Sequence, residues 1–317
     1  MKKESLFKLI DGFKGKKICV IGDLMLDHFI FGDATRISPE APVPVVLVER
    51  EVFTPGGAGN VAANIASLGG KVWVIGRIGR DAAGLRLTQE LQKKAIIDSQ
   101  ILKTSQPTIK KFRVIAGGQQ IVRVDHERNK ESSRMEKKIL IRNVLSGIKD
   151  WDVVVVSDYA KGFITPDIVR NIIKIAKKYK KCVIADAKPA VALACRNVDA
   201  ITPNLLEAQA ISKVTGLKEA GHIIQKRLNC SVLITQGAQG MTLFHKNQTK
   251  RFPAQAREVF DVAGAGDTVT ATLALALASG AKLEDAAFLA NRAAGIAVGK
   301  SGTAVILPEE LKRNLMS

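Results

Sequence analysis

Short apolar runs alternate with amphipathic stretches along most of this chain. Uninterrupted apolar runs predict buried strands at Lys17–Gly22, Val72–Gly79 and Val153–Ser157. Apolar residues that recur every three or four positions predict helices at Pro166–Tyr179 and Gly266–Ser279. Strands that alternate with helices indicate a parallel sheet covered on both faces. The predicted fold class is therefore α/β.

Two segments interrupt this alternation. Residues 28–54 contain three prolines close together, which exclude a helix, and the valines around them predict an extended ribbon. Thr108–Val114 and Gln119–Val124 predict a hairpin, because a short glycine-containing turn separates them. We therefore expect a single domain over residues 1–317, with a β-lid inserted at about 28–54 and 107–126.

The composition excludes several classes of protein. At 46% hydrophobic and 25% charged residues the chain is typical of globular proteins, and no apolar run is long enough for a membrane span. The net charge of +18 attracts polyanions, but aromatic residues make up only 5% and no nucleic-acid motif occurs, so no specific nucleic-acid partner is expected. Four scattered cysteines predict reduced thiols and a cytoplasmic location.

The segment Asp261–Asp267 (DVAGAGD) carries the first candidate chemistry. Its glycines permit a tight turn, and the helix that follows directs its free N–H groups at an anion. Gly264, Ala265 and Gly266 are therefore candidates for an anion hole, and Asp267 is a candidate general base. A simple N-cap role for Asp267 remains the alternative.

An earlier glycine cluster, Gly56–Asn60 (GGAGN), also precedes a helix. Gly57 permits close contact with the hydroxyl groups of a ligand, and Asn60 offers both a donor and an acceptor. A plain turn with an asparagine cap is the alternative. Asp23 and Asp27 follow the first strand at its carboxyl end, where α/β sheets bind ligands, so both are candidate substrate-binding residues.

Four ordered motifs resemble the two signatures and the nucleotide motifs of the ribokinase-like (PfkB) carbohydrate kinases. They are GGAGN, DVAGAGD, Asn204–Glu207 (NLLE) and Thr235–Gly240 (TQGAQG). The resemblance covers nearly the whole chain and implies a three-layer α/β/α sandwich with a mostly parallel central sheet and a small β-sheet lid. The family's usual threonine before G-A-G-D is Ala263 here.

Three further segments are similar to a narrower group, the heptose 7-phosphate kinases of lipopolysaccharide precursor synthesis. They are Gly22–Asp27 (GDLMLD), Ser38–Val45 (SPEAPVPV) and Ser157–Gly162 (SDYAKG), whereas the group's D-P-K-G segment is DAKP at Asp186–Pro189. The similarity implies phosphorylation of the anomeric hydroxyl of D-glycero-β-D-manno-heptose 7-phosphate by ATP, for ADP-heptose synthesis. A kinase of another phosphorylated sugar or a nucleoside is the alternative, and a non-catalytic nucleotide-binding regulator is a further one.

The resemblance also implies ligands and partners. The expected cofactors are ATP and Mg²⁺, with a monovalent cation as a further candidate. The residues expected to bind nucleotide lie in the family motifs and on the last long helix: Asn204, Glu207, Thr235, Gly237, Gly240 and Asn291. Glu207 would also hold Mg²⁺ through water. A homodimer through the lid is expected, because an exposed sheet edge favours pairing, and a separate adenylyltransferase is a candidate partner.

The phosphate of such a substrate requires cations, because the carboxylates of the sugar site repel it. Arginine forms two parallel hydrogen bonds to a phosphate, so Arg113 and Arg123 of the predicted hairpin are attractive candidates. Other candidate substrate-binding residues are charged positions on the lid or at strand ends: Arg36, Lys110, Lys111, Asp158, Lys161 and Lys188. Solvated surface charge is the alternative for each cation.

Overall fold

The computed structural model describes residues 3–255, 260–300, 302 and 304–316, so both ends of the expected 1–317 domain lie outside the described residues. The helices are α1 (Lys3–Asp11), α2 (Ala58–Ser67), α3 (Ala82–Lys93), α4 (Arg134–Gly147), α5 (Pro166–Lys178), α6 (Pro189–Ala192), α7 (Leu205–Ser212), α8 (Leu217–Leu228), α9 (Ala265–Ala278), α10 (Leu283–Ala297) and α11 (Pro308–Met316). The strands are β1 (Lys17–Gly22), β2 (Leu24–Ile37), β3 (Pro44–Gly57), β4 (Lys71–Ile75), β5 (Arg77–Gly79), β6 (Leu102–Thr104), β7 (Ile109–Ala116), β8 (Gln119–His126), β9 (Val153–Ser157), β10 (Cys182–Asp186), β11 (Ala200–Ile201), β12 (Ser231–Thr235), β13 (Met241–His245) and β14 (Gln248–Phe252).

Eight strands form the central sheet in the order β14-β13-β12-β11-β10-β9-β1-β4. All neighbours from β12 to β4 pair in parallel, and β13 and β14 add an antiparallel edge. One buried apolar core lies under α2, α9 and α10, and the other lies under α4, α5 and α8. This arrangement confirms the predicted three-layer α/β/α sandwich with a mostly parallel sheet.

Strand β9 shows why the central strands have uninterrupted apolar sequences. Val153 and Val155 point into the first core, whereas Val154 and Val156 point into the second. Successive side chains of a strand face opposite sides of the sheet, so a sheet that is covered on both sides needs apolar residues at every position. Among the described residues, no helix is long and apolar enough to cross a membrane.

The predicted strand Val72–Gly79 is divided at Gly76. Its first part, β4, belongs to the central sheet, whereas β5 pairs with β6 in a separate two-stranded sheet. A Cβ atom on Gly76 would lie 2.5 Å from the Leu24 side chain, so the chain bends where its backbone passes that residue. An apolar pattern alone does not contain this tertiary contact.

A second sheet, in the order β3-β2-β7-β8, projects from the carboxyl edge of the central sheet, and we call it the lid. It begins at Leu24, directly after β1, rather than at about residue 28. The predicted hairpin is present as β7 and β8, which pair in antiparallel register. The first six residues of β2 are buried, whereas every residue of β8 is exposed. The lid is therefore anchored at its base and open to solvent at its outer strand.

Candidate active site

The candidate site lies where the carboxyl ends of β1, β9 and β10 meet the N-termini of α2 and α9. The parallel register aligns Gly22 with Ser157, and Ser157 with Asp186. Residues that directly follow neighbouring parallel strands share one edge of the sheet. Asp23 and Asp158 are therefore brought side by side, as their positions after predicted strands suggested.

Asp267 lies at the centre of this edge, in the first turn of α9. Its side chain is 5% exposed. The Asn60 Nδ2 atom donates a hydrogen bond to Asp267 Oδ2 at 2.6 Å, and the Tyr159 hydroxyl donates to Asp267 Oδ1. A second contact joins the same helices, because the Thr268 hydroxyl donates to Asn64 Oδ1 at 3.0 Å. The two glycine-rich clusters, far apart in sequence, thus form one pocket.

The surroundings of Asp267 adjust its acidity for proton transfer. Burial raises the pKa of Asp267 to about 6. Hydrogen bonds from Tyr159 and Asn60 act in the opposite direction but are outweighed. The charge of Asp27 raises this pKa further, and that of Lys188 lowers it. A general base is most effective when its pKa lies near the working pH. Asp267 is therefore ionised at neutral pH and well placed to accept a proton.

The loop before α9 forms an anion cradle. Gly264 caps the helix with a φ of 80°, a conformation that favours glycine, and a Cβ atom on Gly266 would meet nothing within 4 Å. The backbone N–H of Ala265 donates to the Val262 carbonyl at 3.3 Å, so it contributes to the turn. The N–H groups of Gly266 and Asp267 lie too near the start of the helix to bond within it, and the space beside Gly266 is open.

Asp261 shapes the same loop from its other end. Its Oδ1 atom accepts a hydrogen bond from the backbone N–H of Ala263 at 2.8 Å. The family's usual threonine is absent at position 263, but this contact uses only the backbone and does not depend on the side chain there. Asp261 therefore supports the turn that brings Gly264 into the cradle.

Asp23 is almost fully buried and organises the loop after β9. Its two oxygens accept hydrogen bonds from three backbone N–H groups, those of Tyr159 (2.8 Å), Lys161 (3.3 Å) and Phe163 (3.2 Å). Burial raises the pKa of Asp23, and these hydrogen bonds oppose the increase. The carboxylate thus acts on the loop backbone rather than facing an open cleft.

Asp158 likewise directly follows a strand of the central sheet and accepts hydrogen bonds from backbone N–H groups. Its Oδ1 accepts from the backbone N–H of Ala160 at 2.8 Å, and its Oδ2 accepts from that of Lys188 at 3.0 Å. Burial raises the pKa of Asp158 to about 6, and the nearby Asp23 charge adds to the increase. The residue joins the loop after β9 to the segment after β10.

Asp27 and Arg113 form an ion pair where the lid leaves the main body. Arg113 Nη1 lies 2.6 Å from Asp27 Oδ1, and both side chains are largely buried. A Cβ atom on Gly56 would lie 2.3 Å from Asp27 Oδ2, and Gly57 has a φ of 58°. The glycines of the first cluster are thus required by the close approach of Asp27 and by the turn into α2.

Three further cations, two on the lid and one in the loop after β9, are paired with Asp125 of β8 or with Glu127, which follows that strand. Arg123 binds both oxygens of Asp125 at 2.8 and 2.6 Å, and Lys111 Nζ lies 3.0 Å from the same residue. Lys161 Nζ lies 2.7 Å from Glu127, which also approaches Lys111 at 3.7 Å. Three expected phosphate ligands therefore belong to one connected ion-pair network.

Two other lid cations lie differently. Arg36 is exposed near the outer end of β2, opposite Val45, and lies many residues along the strand from Asp27. Lys110 Nζ lies 5.1 Å from the centre of the Phe112 ring. Arg113 and Arg123 are direct cross-strand neighbours, so the structure brings these two arginines together and leaves Arg36 apart.

On the expected nucleotide side, Asn204 and Glu207 form a capping box at the start of α7. Asn204 Oδ1 accepts from the Glu207 N–H, and Glu207 Oε2 accepts from the Asn204 N–H, both at 2.9 Å. The other Glu207 oxygen is paired with the Lys188 ammonium group. Asn204 also bridges to Thr235, which ends the neighbouring strand. The NLLE and TQGAQG motifs are therefore neighbours in the structure.

Gly240 and Asn291 shape the backbone beside Thr235. Gly237 and Gly240 have φ angles of 55° and 87°, and a Cβ atom on Gly240 would lie 2.0 Å from the Phe252 carbonyl oxygen. The Asn291 amide donates to the Pro253 carbonyl at 2.7 Å and is nearly buried. The structure thus places Asn291 beside the end of β14, where its amide is engaged by the backbone.

Sequence reasoning missed two residues of this site. Tyr159 lies within the SDYAKG segment, but its contact with Asp267 depends on the path of the loop. Asp186 ends β10, and burial raises its pKa to about 8, with Lys188 opposing the increase and the charges of Asp267 and Glu207 adding to it. In the sequence, Asp186 stood out by its position at a strand end and by the DAKP segment that it begins, but neither signal gave it a role.

Comparison with protein families identifies this arrangement. The model of the pfkB family of carbohydrate kinases matches residues 15–310. The chain belongs to this family. Membership confirms the predicted enzyme class, a phosphotransferase with an alcohol group as acceptor.

Individual relatives agree with this assignment. The chain is 44% identical to "Bifunctional protein HldE" of Caulobacter sp. (strain K31), over 97% of this chain and 64% of that protein. It is 43% identical to the protein of the same name from Caulobacter vibrioides, over 97% and 65% respectively. The chain thus spans a little under two thirds of the length of these relatives.

Solved structures share the fold at lower identity. Phosphofructokinase-2 from Escherichia coli in complex with substrates and products has a TM-score of 0.81 at 21% identity, over 95% of this chain and 98% of that one. Arabidopsis thaliana ribokinase complexed with ribose and ATP has a TM-score of 0.73 at 21% identity, over 95% and 99%. These likenesses confirm the ribokinase-like fold.

Proposed function

We propose that this chain uses ATP to phosphorylate the anomeric hydroxyl of a heptose 7-phosphate. The observation that carries the proposal is the position of Asp267, a buried carboxylate beside a helix N-terminus and near the base of a lid whose strand β7 carries three cations, Lys110, Lys111 and Arg113. The lid cations favour a phosphorylated sugar over an uncharged one, because free carboxylates alone would repel a phosphate. The similarity of three segments to heptose 7-phosphate kinases supports the choice of sugar.

The chain offers suitable groups for the phosphates of ATP. The first turn of α9 directs N–H groups and the positive end of the helix dipole into open space at Gly266. Thr235, Gly237 and Gly240 adjoin Asn204, and together they would contact the nucleotide. Backbone N–H groups donate hydrogen bonds to phosphate oxygens, so these residues are suited to bind ATP, the phosphoryl donor.

The residues also fit Mg²⁺ that is bound mainly through phosphate and water. Within the described ranges, no group of three acidic, histidine or cysteine side chains is arranged to hold a metal ion alone. Mg²⁺ usually retains several waters and takes one or two carboxylates. Glu207 would contribute through water, because Lys188 and the Asn204 N–H already occupy its oxygens. When bound, the ion neutralises charge on the phosphates.

In the proposed mechanism, Asp267 accepts the proton of the anomeric hydroxyl as the hydroxyl oxygen attacks the γ-phosphorus of ATP. The bond from the γ-phosphorus to the β,γ-bridging oxygen breaks at the same time, and ADP leaves. Charge then spreads over the transferred phosphoryl oxygens, and the N–H groups of the α9 first turn stabilise it. Asn60 holds the base in place at 2.6 Å. General-base assistance of this kind typically contributes about 10²–10⁴ in rate.

The sugar would lie between Asp267 and the base of the lid, beside Asp27. Asp27 would accept hydrogen bonds from sugar hydroxyls while Arg113 contacts the phosphate, so the ion pair bridges the two parts of the substrate. Arg123 would join Arg113 by exchanging one oxygen of Asp125 for a phosphate oxygen, since the two arginines are cross-strand neighbours. Lid closure would exclude water and so limit ATP hydrolysis.

We further propose that the chain forms one kinase domain and dimerises through the lid. Apolar side chains are exposed on both outer strands: Leu47, Val48, Ile121, Val122 and Val124. Exposed apolar side chains on an edge strand favour pairing with another chain. All four cysteines are free, which fits the reducing cytoplasm. After hydrolytic removal of the 7-phosphate, an adenylyltransferase acting on the 1-phosphate would complete the route to ADP-heptose.

A substrate panel tests the proposed function. The chain is supplied with ATP and Mg²⁺ together with D-glycero-β-D-manno-heptose 7-phosphate, fructose 6-phosphate, ribose or adenosine, and ³¹P NMR identifies the phosphorylated position. We expect the 1,7-bisphosphate, with kcat/KM at least about 100-fold higher than for the uncharged acceptors. Absence of turnover on the heptose phosphate, with turnover on another acceptor, would replace the proposed substrate.

A further inference from the structure

The loop that follows β9 is held rigidly by two buried carboxylates. Asp23 accepts three of its backbone N–H groups, and Asp158 accepts a fourth. Both aspartates come directly after strands of the central sheet. The backbone of the loop is therefore held mainly by buried carboxylates at the strand ends of the central sheet.

This loop also contains one unfavourable backbone conformation, at Ala160, and a position that requires glycine, Gly162. Ala160 has a φ of 56°, in the left-handed region that non-glycine residues rarely adopt, and Gly162 has a φ of 87°. A Cβ atom on Gly162 would lie 2.5 Å from the Lys130 carbonyl oxygen. Strained conformations persist where surrounding contacts over-determine them, and they cluster at functional sites. The residue that this loop presents is Tyr159.

Two groups contact the Tyr159 side chain, one at its hydroxyl and one at its ring. Its hydroxyl donates to Asp267 Oδ1, and the Lys188 ammonium group lies 5.6 Å from the centre of its ring. Lys188 is itself fixed by its ion pair with Glu207. Burial and the Asp267 charge raise the pKa of the Tyr159 phenol well above its usual value. The phenol therefore stays protonated and serves as a donor to the carboxylate.

We propose that Tyr159 is a positioning residue for the Asp267 base, an inference that rests on the proposed function. The phenol on Oδ1 and the Asn60 amide on Oδ2 fix the plane of the carboxylate before the sugar binds. Each carboxylate oxygen can accept more than one hydrogen bond, so a position for the sugar hydroxyl remains. A base that is already oriented loses less conformational freedom in the transition state.

The two donors also set the pH range in which the base is ionised. Hydrogen bonds to the charged form of a carboxylate lower its pKa, so removal of the phenol raises the pKa of Asp267. The other charged groups that act on this site are Asp27 and Asp186, which favour the protonated form, and Lys188, which favours the ionised form. None of these charges changes when Tyr159 becomes phenylalanine.

The test compares Tyr159→Phe with Tyr179→Phe, which removes the only other tyrosine hydroxyl of the chain. For Tyr159→Phe we expect kcat to fall about 10-fold or more while both KM values change by less than about 2-fold. The acidic limb of the kcat/KM profile should move to higher pH by about one unit. Tyr179→Phe should match the wild type in each respect.

A ¹³C titration of the Asp267 carboxyl group provides a measurement that needs no turnover. We expect the carboxyl pKa to rise in Tyr159→Phe and to stay unchanged in Tyr179→Phe. An unchanged titration together with an unchanged kcat would overturn the inference. Failure of the wild type to phosphorylate heptose 7-phosphate would instead refute the proposed substrate and leave the titration as an independent result.

A second variant keeps the inference testable if Tyr159→Phe does not fold. Global 3-fluorotyrosine incorporation in the Tyr179→Phe background modifies Tyr159 alone and makes its phenol a stronger donor. The Asp267 pKa and the acidic limb should then both move to lower pH, opposite to the effect of phenylalanine. No movement in either quantity would contradict a positioning role.

Discussion

The Asp267 pocket and the lid hold their charged groups in opposite ways. Within the described part of the chain, Asp23 and Asp158 of the pocket accept hydrogen bonds only from backbone N–H groups, and Asp267 accepts from uncharged side chains. In the lid, Asp125 and Glu127 are matched by nearby lysine and arginine side chains. The carboxylates of the pocket thus have their hydrogen-bond partners as soon as the chain folds, whereas the charged side chains of the lid can exchange one partner for another.

This difference follows from burial. A buried carboxylate that loses a hydrogen-bond donor retains the full cost of its desolvation, so the contacts of the pocket are expensive to disturb. Exposed ion pairs contribute about 0–1 kcal/mol, and the Arg123 side chain is 46% exposed. Arg123 is therefore accessible to a phosphate, which would have to replace one or both of its hydrogen bonds to Asp125. The pocket suits chemistry that requires fixed geometry, and the lid suits substrate capture.

The largest expected effect comes from removal of the base. Asp267→Asn should lower kcat by about 10²–10⁴ or more, because the amide cannot accept the sugar proton, while ATP affinity changes little. Turnover assays and calorimetric titration with ATP measure the two quantities. Asp150→Asn, at an exposed position outside the site, is the matched control. Wild-type turnover in Asp267→Asn would show that another group is the base.

Removal of the lid arginines should have an intermediate effect. Arg113→Ala and Arg123→Ala should each raise KM for the sugar phosphate by about 10- to 100-fold, since a charge-assisted contact is lost, and should leave KM for ATP nearly unchanged. Arg113→Ala should have the larger effect, because it also leaves the buried Asp27 without its cation.

Arg36→Ala is the control for these two variants, since Arg36 is exposed near the outer end of β2. It should leave both KM values within about 2-fold of the wild type. If KM for the sugar phosphate is equally unaffected in Arg113→Ala and Arg123→Ala, the phosphate site lies at the lysines of the same ion-pair network, Lys111 and Lys161.

The pocket was more predictable from the sequence than the lid, for a physical reason. Asp23, Asp158 and the two glycine clusters directly follow predicted strands or precede predicted helices, and the carboxyl edge of a parallel sheet brings such residues together. The meeting of Asn60 with Asp267 across the fold follows from the same rule. The sandwich architecture was predictable because fully apolar runs are required in a sheet covered on both faces.

The details that sequence reasoning missed depend on neighbours distant in the chain. The use of Asp23 as a backbone acceptor, the bond from Asn291 to the Pro253 carbonyl and the contact of Tyr159 with Asp267 each require the exact path of a loop. The carboxylate partners of the lid cations lie on the adjacent strand or after it, so residue type alone did not predict that those cations would be paired.

The smallest expected effect on kcat comes from a change in the lid, and it tests whether the Asp267 pocket works without the proposed lid contacts between two chains. Leu47 is 74% exposed on β3 of the lid, so Leu47→Asp should dissociate the proposed dimer, and sedimentation equilibrium measures the change. Leu85→Asp, at a similarly exposed position on α3 outside the lid, should leave the association state unchanged. Because the base pocket is held by contacts within one chain, kcat should stay within about 2-fold in the monomer, while KM for the sugar phosphate rises modestly. A loss of kcat comparable to that of Asp267→Asn would show that the pocket depends on the second chain. The pocket would then not be formed by contacts within one chain alone, and the distinction drawn between the pocket and the lid would be wrong.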